Sequence, residues 1–224
     1  MSNLILGDCL QAMKQMPDNT FELAIVDPPY GIGIDGQKES INKNPKHNRK
    51  LHVKKSWDSS IPSGEYFREL ERVSKNQIIW GGNYFVPHLT QGTKGWIVWD
   101  KGQHGLTMSD CELAYSSFNC PTRIVIINRV ELLKDGTVHP TQKPIKLYKW
   151  LLKNYAKQGD KILDTHVGSA SSLIACHQMG FEYLGFEIDE EYYNKAVARL
   201  ETVRAQTSIF DIGVSHFEER EANP

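Results

Sequence analysis

Asp27-Pro28-Pro29-Tyr30 is the stretch of this chain best suited to chemistry. An amino group on an aromatic ring is a poor nucleophile, because its lone pair is delocalised into the ring. The Asp27 carboxylate and the Pro28 carbonyl can each accept one N–H of such a group, which would localise the lone pair on nitrogen. Pro28 and Pro29 have no backbone donor and fix φ, so the turn is rigid and presents acceptors only. Tyr30 adds an aromatic face for a flat heterocycle. Read without that chemistry, the same four residues make a rigid exit turn.

A second candidate site lies in the last third of the chain. Asp164-Thr-His-Val-Gly168-Ser169-Ala170-Ser is a small-residue turn between an apolar run and a helical pattern. Such a turn lets the backbone approach a ligand, and the helix behind it offers free N–H groups. Glu187 follows Gly168 by 19 residues, the spacing at which a carboxylate accepts from ribose hydroxyls. A nucleoside-type ligand fits this pattern, and so does a tight strand-to-helix turn in any α/β protein. A dinucleotide fingerprint needs three glycines, so a nicotinamide oxidoreductase is disfavoured. Asp189 reads most simply as the cap of the last helix.

Charge marks a third region. Seven Lys/Arg fall between Lys38 and Lys55, opposed in that span only by Glu39. Lys43, Lys46, Arg49 and Lys50 suit phosphate contacts, although a merely solvated loop has the same composition. Arg123 and Arg129 are further candidates for contacts to nucleic acid.

These residues have to be positioned by regular elements. Phe21 to Val26, apolar but for Glu22, predicts a strand buried on both faces, ending at Asp27. Strands are also expected at Leu4–Leu6, Gln77–Trp80, Trp96–Trp99, Lys161–Leu163 and Tyr183–Phe186, with a strand pair at Glu112–Phe118 and Arg123–Ile127. Helical spacing covers Cys9–Met16, Glu65–Val73, a segment from Pro144 to about Tyr155, Ser171–Met179 and a final run from Asp189. Trp80-Gly81-Gly82-Asn83-Tyr84 either lines a pocket or simply ends a strand. Alternating strands and helices predict an α/β fold with a mostly parallel, doubly wound sheet. Both Asp27 and Asp164 then lie at carboxyl ends of strands, where such sheets bind ligands.

The 224 residues suit a single domain, 1–224, carrying a mobile basic loop over 31–58 and a small insertion over about 116–136. The net charge of −1 supplies no global field toward nucleic acid. The four cysteines match no metal or disulfide framework, so reduced thiols, no metal and a cytoplasmic location are expected. No secretory leader or membrane span is expected either.

Taken in order along the chain, these motifs resemble the amino-group DNA methyltransferases of the β arrangement, in which the catalytic motif precedes the cofactor motif. The short solitary enzymes of phages and prophages are particularly similar. Asp27-Pro28-Pro29-Tyr30 matches the catalytic tetrapeptide fully. Gly7-Asp8-Cys9 resembles the opening segment near the cofactor adenine. His139-Pro-Thr141-Gln-Lys143-Pro144 resembles the segment beside the methionine part of the cofactor, and Gly185-Phe-Glu187 the ribose-binding strand end. The cofactor turn departs from the family pattern. Thr165 stands for proline, His166 for phenylalanine, and Ala170 for the second glycine, where its methyl is expected to crowd the ligand.

The resemblance implies a Rossmann-like, circularly permuted fold that uses S-adenosylmethionine to methylate double-stranded DNA. The target would be N6 of an adenine flipped from the duplex, with Asp27, Pro28, Pro29 and Tyr30 catalytic. Asp8, Cys9, Asp27, Thr141, Lys143, Asp164, His166, Gly168, Ser169, Ala170 and Glu187 would bind the cofactor. N4-cytosine methylation and a catalytically degenerate DNA-binding module are the alternatives. Methylation of RNA or a protein amide fits less well, because those relatives carry Asn at the first tetrapeptide position. A homodimer is compatible with so small a recognition region, and no restriction endonuclease partner is implied.

Overall fold

A computed structural model describes residues 3–35, 55–89, 92–105, 109–128 and 131–221, with backbone only at 133, 134 and 207–221. In chain order the strands are β1 (Asn3–Leu6), β2 (Phe21–Val26), β3 (Ser74–Trp80), β4 (Ile97–Asp100), β5 (Cys111–Ser116), β6 (Arg123–Ile126), β7 (Lys161–Asp164) and β8 (Glu182–Glu187). The helices are α1 (Cys9–Met13), α2 (Gly64–Val73), α3 (Glu131–Asp135), α4 (Ile145–Tyr155), α5 (Ser171–Gln178) and α6 (Glu190–Glu221). One sheet runs in the order β1-β8-β7-β2-β3-β5-β4-β6. Only β5 runs against the others.

β2 sits in the middle because its sequence has no face to give to water. Leu23 and Ile25 enter one apolar core, Ala24 and Val26 the other. The first core takes Leu147 and Leu151 of α4, Leu173 of α5 and Leu200 of α6. The second takes Met13 of α1 and Tyr66, Phe67, Leu70 and Val73 of α2. The stripe on α2 is the 3.6-residue pattern legible in the sequence, and Ser63 caps the helix by accepting from the Tyr66 N–H.

This order creates the site. From β2 the chain winds through α2 to β3, and from β7 through α5 to β8, in opposite directions along the sheet. β2 and β7 are neighbours, with Leu23 opposite Ile162 and Ala24 opposite Leu163. Their carboxyl ends, Asp27 and Asp164, therefore flank the point where strand order reverses, the position at which open α/β sheets leave a crevice. The mostly parallel, doubly wound sheet is as expected, with the strand ending at Asp27 early in the chain and those ending at Asp164 and Glu187 late.

The strand pair expected at 112–127 is different. β5 and β6 do not pair with each other; β4 lies between them, antiparallel to β5 and parallel to β6. The link from β5 to β6 passes over the start of β4 at Gly95. A Cβ there would lie 2.9 Å from the Phe118 carbonyl oxygen and 3.0 Å from that of Cys120, so the crossing needs a glycine. Of residues 116–136, 123–126 form edge strand β6, and the short α3 was not expected. Among the described residues no helix is long and apolar enough to cross a membrane.

Candidate active site

A cavity of about 390 Å³ opens over the β2/β7 junction, within the roughly 300–1,000 Å³ of small-molecule sites. Asp27 and Pro29 form part of its wall, and Asp8, Cys9, His166, Gly168, Ser169 and Glu187 another part. Thr141 and Lys143 close it from the segment before α4. Ten residues named from sequence thus meet in one space.

Asp27 is held from both sides. Its Oδ1 accepts from the Tyr30 hydroxyl at 2.6 Å and its Oδ2 from Lys143 Nζ at 2.5 Å. Lys143 Nζ also lies 3.1 Å from Glu112 Oε2, and Glu112 Oε1 lies 2.9 Å from Lys101 Nζ. Burial pushes the Asp27 carboxyl above its ordinary range, against the opposing pull of the ammonium. For Lys143, burial favours the neutral amine, but the carboxylates of Asp27 and Glu112 outweigh it and keep the ammonium charged. Glu112 is likewise kept ionised by Lys143 and Lys101 despite its burial.

Tyr30 packs differently from a free stacking platform. Its ring lies on Tyr84 with centroids 4.9 Å apart and planes 14° from parallel, and it is edge-on to Phe85. Gly81, at φ +70°, presses close to the same ring. Tyr30 and the buried Pro28 lie beside the cavity rather than on its wall. Trp80-Gly81-Gly82-Asn83-Tyr84 thus supports Tyr30.

The cofactor-type turn is fastened from below. Asp164 Oδ1 accepts from the His166 N–H at 3.0 Å, and Oδ2 accepts from the Ser172 hydroxyl. Burial raises the Asp164 carboxyl to about 7. Its side chain is spent on the turn, so Asp164 lies under the cavity and does not line it. Ala170 does not line it either. At φ +63° it occupies the left-handed region expected of glycine, but its methyl is buried in the core beside Leu173 and Ile174. That Cβ points into the protein and away from the cavity.

The other two departures are coupled. Thr165 Oγ1 lies 2.9 Å from His166 Nδ1 and 2.7 Å from the Tyr66 hydroxyl. A hydroxyl at 165 gives the ring nitrogen at 166 a partner that proline could not. Burial lowers the His166 pKa to about 4, so the ring is neutral near pH 7. Burial and Asp8 push the Cys9 thiol up to about 12, leaving it protonated. Glu187 accepts from the Gly168 N–H at 2.8 Å and from the Asp189 N–H at 2.9 Å, and Asp8 caps α1 through the Leu10 N–H. Asp189 caps α6, accepting from the Glu191 and Tyr192 N–H groups.

Sequence reasoning missed Trp57, Tyr66, Tyr148 and Tyr192 on the wall, and Glu112 and Lys101 behind it. Trp57 stands alone in a polar segment, so no periodicity marks it. It reaches the cavity because the buried Asp58 carboxylate accepts from the Gly31 and Ile34 N–H groups, and Lys55 is anchored on Asp189 and Glu191. Trp57 then packs on His139 at 5.3 Å. Lys43, Lys46, Arg49, Lys50 and Arg129, with most of the expected 31–58 loop, lie outside the described residues. Arg123 is exposed at the start of β6, opposite Ile97 at the start of β4. Both strands run in the direction of β2, which puts Arg123 at the end of the sheet opposite Asp27.

Residues 98–198 match the family model described as DNA methylase, a span that includes the His139–Pro144 segment, the turn and Glu187. The type II methyltransferase M.HpaI of Haemophilus parainfluenzae is 24% identical, covering 89% of this chain and 74% of its own. The putative methylase YubD of Escherichia coli (strain K12) is 28% identical over 91% of this chain and 92% of its own. Among solved structures, the complex of M1.HpyAVI with SAM superposes with a TM-score of 0.62 at 18% identity, over 89% of this chain and 99% of that one. Two carboxylates at one strand-order reversal, the ordered motifs and these likenesses point the same way: residues 98–198 carry the pattern of the DNA methylase family, and over about nine tenths of its length the chain is similar to proteins named as DNA methyltransferases or methylases.

Proposed function

We propose that this protein transfers a methyl group from S-adenosylmethionine to N6 of an adenine flipped out of duplex DNA. The observation that carries this reading is Asp27 facing the same cavity as Gly168 and Glu187. A carboxylate acceptor for an NH2 and a nucleoside-type wall thereby share one space, with Pro28 directly beside it. The wall fits the cofactor chemically. Asp8 and Glu187 offer carboxylates to hydroxyl and amine groups, the Gly168–Ser169 turn allows close backbone approach, and Trp57, Tyr66 and Tyr192 supply apolar surface. Bound there, S-adenosylmethionine supplies an electrophilic methyl on a sulfonium.

The chain's own residues then have an alignment task. Asp27 and the Pro28 carbonyl accept the two N–H groups of the target and aim the nitrogen lone pair. Neutral His166 and protonated Cys9 add no competing nucleophilic anion beside the donor. No strong general base is needed, because the proton leaves after methyl transfer, when the nitrogen is cationic and acidic. The Asp first position of the tetrapeptide favours adenine over cytosine. The basic segment around Lys43, Lys46, Arg49 and Lys50 would bind the phosphate backbone, and the protein would act without a dedicated endonuclease, alone or as a homodimer.

The test is to express the protein in a host without its own DNA methylation and map modified bases genome-wide. N6-methyladenine at a short defined sequence is expected. N4-methylcytosine would correct the target base, and unmodified DNA from cells holding folded, cofactor-binding protein would refute the reading.

A further inference from the structure

Behind the catalytic carboxylate lies a row of alternating charges, Lys101, Glu112, Lys143 and Asp27, joined by contacts of 2.9, 3.1 and 2.5 Å. Lys143 is the best-buried member, its side chain 2% exposed. Its ammonium holds Asp27 Oδ2, one of the oxygens that a target N–H would need. It is also 3.2 Å from the Tyr30 hydroxyl and lies over the rings of Tyr30 and Trp80 at 5.7 and 5.3 Å. An ammonium has three donors and is costly to leave unpaired when buried. For Asp27 to turn from the lysine to a substrate, the lysine must keep a carboxylate. Among the described residues Glu112 is the only other carboxylate in contact with it, and Lys101 fixes the far oxygen of Glu112.

We infer that Glu112 is a positioning residue for methyl transfer, drawing the Lys143 ammonium off Asp27 so that this carboxylate is released to grip the target amino group. The inference rests on the proposed methyl transfer and adds to it a residue that does not touch the substrate. Lys143 thereby acquires a role toward Asp27 that its place in the cofactor segment did not suggest. Without Glu112 the lysine would stay clamped on Asp27, neutralising it and competing with the target N–H.

Glu112→Gln keeps the shape and removes the charge. Losing one charge-assisted hydrogen bond to the lysine should lower kcat by roughly 10–100-fold. The Kd for S-adenosylmethionine should hardly change, because Glu112 is not on the cavity wall. The acid limb of the pH–rate profile supplies a second readout. The charged and titratable groups acting on Asp27 or coupled to it are Lys143, Glu112, Tyr30, Tyr66, Tyr148 and Asp164. Glu112 raises the Asp27 pKa and Lys143 lowers it, so removing Glu112 should move the acid limb to lower pH while the plateau falls. Glu112→Asp should recover part of the rate and move the limb back. A Glu112→Gln protein with wild-type kcat and an unmoved limb overturns the inference. So does one that loses cofactor affinity and thermal stability together, which would make Glu112 part of the scaffold. If the wild-type protein methylates no DNA, the parent reading has failed, and a 13C NMR titration of the Asp27 carboxyl in both proteins decides the charge arrangement. A lower midpoint in Glu112→Gln supports it, and an unchanged one overturns it.

Discussion

Replacing Gly81 by alanine tests how the Asp27–Tyr30 turn is held. Gly81 has φ +70°, where an alanine costs about 1–2 kcal/mol. Its new Cβ would stand 2.2 Å from Tyr30 Cε1 and 2.6 Å from Cδ1. Ordinary contact begins at 3.4 Å, so the ring must withdraw by roughly 1 Å. The Tyr30 hydroxyl now donates to Asp27 at 2.6 Å, and such a withdrawal takes it beyond the ~3.0 Å limit of an O–H···O bond. A hydrogen bond to a charged group contributes about 1.5–3 kcal/mol, and the stack on Tyr84 roughly 0.5–1.5 kcal/mol more. Gly81→Ala should therefore destabilise the protein by about 3–6.5 kcal/mol, measured by urea unfolding at fixed pH. In a Tyr30→Ala background the obstructing ring is gone, and the same change should cost only the backbone strain, about 1–2 kcal/mol. Equal costs in the two backgrounds would refute the argument, since the contact with Tyr30 would then carry no energy.

Asp27→Ala should abolish methyl transfer while the calorimetric Kd for S-adenosylmethionine stays within a few-fold; retained turnover would remove Asp27 from its role. Trp57→Ala should weaken cofactor binding by roughly tenfold, a loss on the order of 1.4 kcal/mol of packing, and should remove a tryptophan signal that responds to the cofactor; unchanged titrations would separate Trp57 from the site. His166 has a folded pKa of about 4 against an ordinary 6.5, so between those values the unfolded chain binds a proton that the folded chain does not. Its contribution falls as pH drops from about 6.5 toward 4. Asp164, raised to about 7, works the other way, costing stability as pH rises from about 4 to 7. His166→Phe should thus gain about 2 kcal/mol relative to wild type at pH 5 compared with pH 8, and parallel unfolding profiles would contradict this. Neutralising Lys46, Arg49 and Lys50 together should reduce the slope of log K against log salt for DNA binding by up to about 3; an unaltered slope would take that segment out of the interface.

The chain order of strands and helices was legible because each element carries its own period. The β2 run has no polar face, α2 has one apolar stripe, and glycine or proline interrupts the chain near their ends. The motif residues were legible for a related reason, since short peptides such as Asp27–Tyr30 and Gly168–Ser169 fix their own local chemistry. What failed was non-local. The place of β4 between β5 and β6 depends on a crossing over Gly95, and nothing in either strand's pattern encodes its neighbour. Ala170 looked like an obstacle because sequence does not say which way a Cβ points. Arg123 stands at the end of the sheet opposite Asp27, a place the sequence does not give because it does not say at which end of the sheet a strand begins.

The sequence by itself determined which groups were available: a carboxylate followed by two prolines, a small-residue turn, a strand-end glutamate and a cluster of basic residues. The tertiary structure alone decided their relations. It set Asp27 and Asp164 side by side where strand order reverses, turned Asp164 inward to brace its own turn, and gave Lys143 to Asp27 and Glu112. The reason is physical. Periodicity and turn chemistry act over a few residues, whereas a buried charge is settled by whichever opposite charge the packing brings within about 3 Å, from 116 positions away in the case of Asp27 and Lys143.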